Sequence, residues 1–224
     1  LLYLNAEPFG MADPIFGRDV AFYVFNLPVY RFVQGWLLLL LIIALIGLAP
    51  IYATTTLGDL QRGRWRPLDS ALLRAHAAAL GAFIMLLWAV SYYFDIVGLV
   101  YSSRGVAYGA SYTDMSVVIQ VLRLQMILAA LTGLALLYNV FRPSLRLPLI
   151  TGGLWVLVSV IGGGLLPGII QRYVVEPNEL TLETPYIEHN LAFTRFAYGL
   201  DRVESREFGD VENLQPRDLL ENED

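Results

Sequence analysis

The sequence predicts an all-α polytopic membrane segment with four transmembrane helices, leading into an extracytoplasmic domain. Three observations carry that prediction. The 224 residues are 56 % hydrophobic and only 16 % charged, with mean hydropathy +0.56, where a soluble domain holds about 25 % charge. Four stretches reach the roughly 20 apolar residues that a helix needs to cross about 30 Å of hydrocarbon. The arginines between those stretches gather in alternate connections, as they do in multi-pass proteins.

Residues 1–31 form an extracytoplasmic lead-in. Within it, Asp13-Pro14-Ile15-Phe16-Gly17-Arg18-Asp19 has turn residues at Pro14 and Gly17, and places Arg18 between two carboxylates it can pair with, Asp13 and Asp19. Val20, Tyr23, Val24 and Leu27 follow at helical spacing and predict an interfacial helix lying on the outer surface. The membrane domain occupies 32–171. Its first span is 32–54, with no charge between Gly35 and Ala53; the others are 68–97, 116–141 and the uncharged stretch 147–170. Residues 172–224 open an acidic extracytoplasmic region. There Thr184 is the expected N-cap of an amphipathic helix with Pro185 at its first position and Gly199 at its end. Ile187, Leu191, Thr194 and Tyr198 would form one face of it, beside Tyr186, Phe193 and Ala197.

Charge fixes the direction. The first connection holds Arg62, Arg64 and Arg66 and the third holds Arg142 and Arg146, whereas the second holds only Arg104. The arginine-rich connections are therefore expected on the cytoplasmic side, and both ends of the chain outside. Residues 1–171 carry 10 Arg against 7 acids and residues 172–224 carry 5 Arg against 13 acids, two different environments in one chain. Tyr23, Phe25, Tyr30 and Trp36, with Tyr92, Tyr93, Phe94 and Tyr101, supply aromatic belts at the headgroup level. The chain opens at Leu1 and ends in Glu-Asn-Glu-Asp, and reads as a slice of something longer.

Four strings stand out beside this layout: DPIFGRDVAFYVFNLPVYRF at 13–32, LLRAHAAALGAF at 72–83, LVYSSRGVAYGASYTDM at 99–115 and QRYVVEPNELTLETPYIEHNLAFTRFAYGLD at 171–201. They resemble uncharacterised protein family 0182, large bacterial membrane proteins. The resemblance implies a multi-pass protein of the bacterial cell membrane in which several spans precede a large extracytoplasmic domain, this chain being a middle fragment. It brings no catalytic motif with it.

Several residues are candidates for more than anchoring. Arg123, flanked by Gln120 and Gln125, lies inside the third span, where a charge usually faces the protein interior and finds a partner. Asp95 and Asp114 are the expected partners, either in an ion relay or in a structural pair that locks the second and third spans. An arginine too far from both would snorkel outward. In the fourth span, Gly162, Gly163, Gly164 and Pro167 suit either a close-packing groove or a broken helix of the transporter type. His76, near the cytoplasmic end of the second span, is of the residue type that ligates haem or chlorophyll, but no opposing ligand accompanies it. Otherwise no cofactor, catalytic group or metal is expected. Glu176, Glu179, Glu183 and Glu188 lack the spacing of a calcium loop and read as a solvated acidic face, and His189 has no second histidine nearby.

With no cysteine and two histidines, thiolate chemistry and histidine-rich metal centres are excluded. There is no P-loop, dinucleotide fingerprint, GxSxG or HExxH, and an acidic outer part has no footprint for nucleic acid. The expected partners are the lipid bilayer and other membrane protein subunits. The function expected first is a non-enzymatic scaffold or accessory subunit of a membrane complex; the second is a transporter or channel component using Arg123, Asp95 and the Gly-Pro break.

Overall fold

The computed structural model describes residues 3–61 and 71–203. The described residues are helical with no strand; one isolated antiparallel bridge joins Ala12 to Asp19. A π turn over Phe22–Asn26 runs into α1 (Leu27–Gln61). Then come α2 (Ala71–Val97), α3 (Ile119–Phe141), whose helical run opens at 112 and passes through a π turn over Asp114–Val118, and α4 (Arg146–Val160). The last continues through a π turn Ile161–Leu165, α5 (Leu166–Ile170), a π turn Gln171–Val175 and a 3-10 turn Glu176–Asn178 into α6 (Glu179–Ala197). Four helices are long and apolar enough to cross a membrane, Phe22–Pro50, Ala71–Tyr101, Asp114–Phe141 and Arg146–Ala197. Arg62, Arg64, Arg66 and the acidic tail after Val203 lie outside the described residues. The chain divides into two compact units, Leu1–Asn190 and Leu191–Asp224.

Burial identifies the centre of the bundle. In the most apolar window of each span, 33 % and 39 % of residues are buried in the second and third helices, against 0 % and 6 % in the first and fourth. The α2–α3 pair is therefore the core, with the flanking helices turned mostly outward. Small residues set that pairing. Ala82 and Ala129 are fully buried, and Gly133 lies against Leu86 and the Ala82 carbonyl, where a Cβ would stand 2.8 Å from Leu86 Cγ. In lipid, such contacts replace the hydrophobic drive between helices, because the tails are as apolar as the side chains. Interhelical hydrogen bonds join them: Gln34 Nε2 donates to the Leu87 carbonyl at 3.2 Å, Gln125 Nε2 to Ser159 Oγ at 3.2 Å and Trp155 Nε1 to Tyr92 Oη at 3.1 Å.

Two sequence expectations change. The segment 20–31 is not a separate interfacial helix: it is the opening of the same helical run as α1. Asp19 caps that run by accepting the Ala21 N–H at 2.8 Å, and the run passes through Pro28 without a break. Thr184 is not an N-cap and Pro185 is not a first residue. Both lie inside α6, because the chain arrives there already helical, and Thr184 Oγ1 bonds back to the Leu180 carbonyl. The predicted stop is where the helix ends, at Gly199 with φ +66°, a left-handed conformation that favours glycine.

Candidate functional site

The densest polar cluster lies where residues 102–113 enter α3. Ser111 Oγ accepts the Asp114 N–H at 3.2 Å, and Asp114 Oδ2 accepts the Ser111 N–H at 3.2 Å and its hydroxyl at 2.8 Å. The Ser111 carbonyl takes the Met115 N–H at 3.0 Å, so Ser111 is the N-cap and the pair forms a reciprocal capping box, with aspartate in the place usually held by glutamate. Tyr112 N–H, another donor left over at the helix start, points at Glu183, 3.3 Å from each carboxylate oxygen. Thr113 Oγ1 bonds Gln171 Oε1 at 2.5 Å. Arg104 Nε donates to Asp114 Oδ1 at 3.1 Å. Two carboxylates thus sit at the positive end of the helix dipole.

These groups are sealed. Ser111, Thr113, Asp114 and Glu183 are all at most 2 % exposed, although Glu183 lies well beyond the apolar stretch that ends at Ile170. Burial pushes its carboxyl above the ordinary glutamate value; the Tyr112 N–H opposes this, and the nearby Asp114 and Glu179 charges add to it. The expectation of a solvated acidic face therefore fails at Glu183, which is buried across the α3 terminus. Gly105 backs the cluster, since a Cβ there would stand 2.8 Å from Ser111 Cβ and 3.4 Å from Glu183 Oε2. Asn190 Nδ2 adds a second tie to this loop by donating to the Tyr108 carbonyl at 2.7 Å.

The expected pairing of Arg123 with Asp95 or Asp114 is not formed. Asp95 pairs with Arg31 at 3.3 Å, and Asp114 pairs with Arg104. The reason is the face on which Arg123 sits. Gln125, Leu128, Ala129 and Thr132 are the buried side of α3, whereas Gln120, Arg123, Ile127, Leu131 and Leu134 are exposed on the opposite side. Helical Cα–Cβ bonds lean toward the N-terminus, so Arg123 leans toward the end of α3 where aromatic and charged groups gather, the direction of snorkelling. Arg123→Gln is expected to leave thermal stability within about 0.5 kcal/mol of the parent. A large fall in the detergent melting temperature would restore the interior-pair account.

Arg18 likewise bypasses both neighbouring carboxylates with its side chain. Its guanidinium lies 4.4 Å over the Phe22 ring and donates to Tyr93 Oη, tying the lead-in to α2. Asp13 instead folds the turn, accepting the Ile15 and Phe16 N–H groups at 2.8 and 2.9 Å, the Arg18 N–H at 3.1 Å and the Tyr23 hydroxyl at 2.7 Å. Asp19 accepts the Phe9 and Gly10 N–H groups at 3.0 and 2.9 Å besides that of Ala21. These backbone donors, Ala21 first, hold its carboxyl below the ordinary aspartate value. His76 is on the exposed side of α2. Among the described residues, no group of three or more His, Asp or Glu is placed to hold a metal ion.

The glycine run is not a broken helix. Gly162, Gly163 and Gly164 lie in the π turn Ile161–Leu165, and Pro167 is buried in α5 without interrupting the helical course. The three glycines are not equivalent. A Cβ on Gly162 would collide with Val121 Cγ1 and lie 3.1 Å from Cγ2, whereas Gly163 and Gly164 have nothing within 4 Å. Gly162→Ala is therefore expected to destabilise by about 1–3 kcal/mol through overpacking, and the same change at 163 or 164 by less than about 0.5 kcal/mol. Melting temperatures of the three variants check this, and equal effects would contradict it.

The description "Uncharacterised protein family (UPF0182)" fits residues 1–224. The chain is similar to a UPF0182 protein of Cupriavidus necator, 40 % identical over 222 residues, covering 99 % of this chain and 24 % of the relative. It is also similar to one of Sulfurovum sp., 35 % identical with 99 % and 24 % covered, and to one of Frankia alni, 38 % identical with 93 % and 20 % covered. No solved structure matches it. The chain thus spans about a fifth to a quarter of the length of these relatives, and it belongs to the uncharacterised protein family UPF0182.

Proposed function

We propose that this segment is the membrane base of a non-enzymatic scaffold or accessory subunit, whose task is to hold an extracytoplasmic region at a fixed position above the bilayer. The observation that carries the reading is the docking of Glu183 on the N-terminus of α3. A side chain from the helical run that continues past the fourth span completes the cap of the third, and the partners of that cap lie within the chain. A catalytic or transport carboxylate needs access to substrate or ion; Asp114 and Glu183 have almost none. Gly162 supports the same reading, because the close approach to Val121 accounts for it as a packing residue. On this reading the arginine-bearing connections face the cytoplasm.

The experiment is gentle solubilisation of native membranes followed by mass spectrometry of what migrates with the full-length protein at its native size. Stoichiometric co-migration with other membrane subunits is the expected result. Migration alone, together with ion or solute flux in reconstituted vesicles, would overturn the scaffold in favour of a transporter.

A further inference from the structure

A cavity of about 600 Å³ opens at the end of the bundle opposite the capped terminus of α3, lined by Arg74, Ala77, Ala78, Leu136, Asn139, Pro143 and Leu145. Its volume is within the roughly 300–1,000 Å³ of sites that enclose small ligands. The chemistry of its wall is divided. Ala77, Ala78 and Leu136 give an apolar side between α2 and α3, at a depth where acyl chains run. Arg74 and Asn139 lie one helical turn closer to the helix ends, where headgroups stand. Asn139 Nδ2 donates to the Ser144 carbonyl at 2.9 Å, which holds the α3–α4 turn in place as one rim.

Charge selects the occupant. Arg142 and Arg146 flank the lining residues Pro143 and Leu145 in the chain. Residues 71–80 and 134–150, which supply the lining, hold Arg74, Arg142 and Arg146 and no Asp or Glu. An arginine is matched to phosphate oxygens by its planar fork of donors, and basic pockets between spans at such a depth take anionic headgroups. We propose that this cavity is a binding site for an anionic phospholipid, its phosphate at the Arg74–Asn139 rim and the upper part of an acyl chain along Ala77, Ala78 and Leu136. The inference rests on the four-span reading of the chain and not on the scaffold role, so the two fail separately.

The test uses the full-length protein, purified in mild non-ionic detergent and reconstituted in nanodiscs made of equal parts phosphatidylglycerol and phosphatidylethanolamine. After re-extraction, lipid retained on the protein is counted by class by native mass spectrometry. Phosphatidylglycerol is expected to be enriched about fivefold over the supplied ratio, the factor that one arginine near an anionic lipid is worth. Arg74→Gln, which removes the charge, and Ala78→Trp, which fills the apolar side, are each expected to return retention to that ratio. If either variant fails to fold, the other and the enrichment on the parent protein still decide. Retention of the two lipids in the supplied ratio by the parent would overturn the proposal, as would unchanged enrichment in folded Ala78→Trp. Inorganic phosphate alone should not raise the melting temperature of the delipidated protein. A rise equal to that given by phosphatidylglycerol would mark a free-phosphate site and overturn the lipid assignment.

Discussion

Gly133→Val is expected to produce the largest loss of stability of any single change considered. Even a Cβ at this position would stand 2.8 Å from Leu86 Cγ and 3.1 Å from the Ala82 carbonyl oxygen. The first neighbour is a side chain that can rotate; the second is backbone of the facing helix and cannot move without moving α2. Valine adds two methyl groups to that clash. Overpacking of a well-filled core costs about 1–3 kcal/mol, and the upper part of that range is expected here because fully buried Ala82 and Ala129 leave no slack on either side. Gly133→Ala should show a smaller loss of the same sign. Gly81, where a Cβ would meet only Leu136 Cδ1 at an ordinary 3.4 Å, is the internal control and should accept alanine. Thermal unfolding in one detergent, followed by tryptophan fluorescence, checks the order Gly133→Val, Gly133→Ala, Gly81→Ala. A neutral Gly133→Val would mean that α2 and α3 do not pack as described.

The second large effect is at Glu183, where two substitutions are expected to part company. Glu183→Ala removes the acceptor for the Tyr112 N–H and leaves a part-buried donor unpaired, a loss of about 1 kcal/mol. Glu183→Gln keeps a carbonyl oxygen there and removes the charge. The sign of the pH effect follows from the raised folded-state value. An acid whose folded value lies above its unfolded one binds its proton more tightly in the native protein, so ionising it weakens the fold. The parent should therefore gain stability as pH falls from neutral through the folded value toward the ordinary glutamate value. In Glu183→Gln that gain should vanish, with stability at neutral pH equal to or above the parent's. Asp19, whose carboxyl is held low, acts in the opposite sense and at lower pH, losing its contribution as pH falls through its own folded value. Melting curves of the three proteins from neutral to mildly acidic pH separate these contributions. A Glu183→Gln protein that unfolds like Glu183→Ala would show that the carboxylate charge is what the α3 terminus requires.

The membrane helices were legible in the sequence because hydrocarbon thickness imposes a length and a composition that few other structures share. The stop at Gly199 was legible for an equally local reason, a backbone angle that other residues avoid. Partnerships were harder. Arg123 and Asp95 are near in any antiparallel drawing of the second and third spans, yet which side of α3 faces α2 is decided by the small residues Ala129 and Gly133, whose volume matters more than their hydropathy. Asp95 turns instead to Arg31 on the neighbouring helix, where the two side chains, each almost half exposed, meet at the start of α1 and the end of α2. Glu183 was harder still. Its burial depends on a loop some seventy positions earlier in the chain, and nothing around it in the sequence distinguishes it from Glu179 or Glu188. One part of that cluster did have a local sign: Ser111-Tyr112-Thr113-Asp114 follows the pattern of a capping box ahead of an apolar run, and it marks where α3 begins.

The central claim is that the helical run leaving the fourth span is clasped to the loop at the head of the third. The most direct test is cysteine cross-linking of Tyr108→Cys with Asn190→Cys in full-length protein in native membranes, in a background otherwise free of reactive cysteine. This segment contributes none of its own, and the Asn190 side chain reaches the Tyr108 carbonyl at 2.7 Å. A short bis-maleimide should link the pair within one polypeptide in high yield, and adding Glu183→Ala should lower that yield. Absence of the intramolecular link while each single cysteine reacts freely with a maleimide would contradict the account.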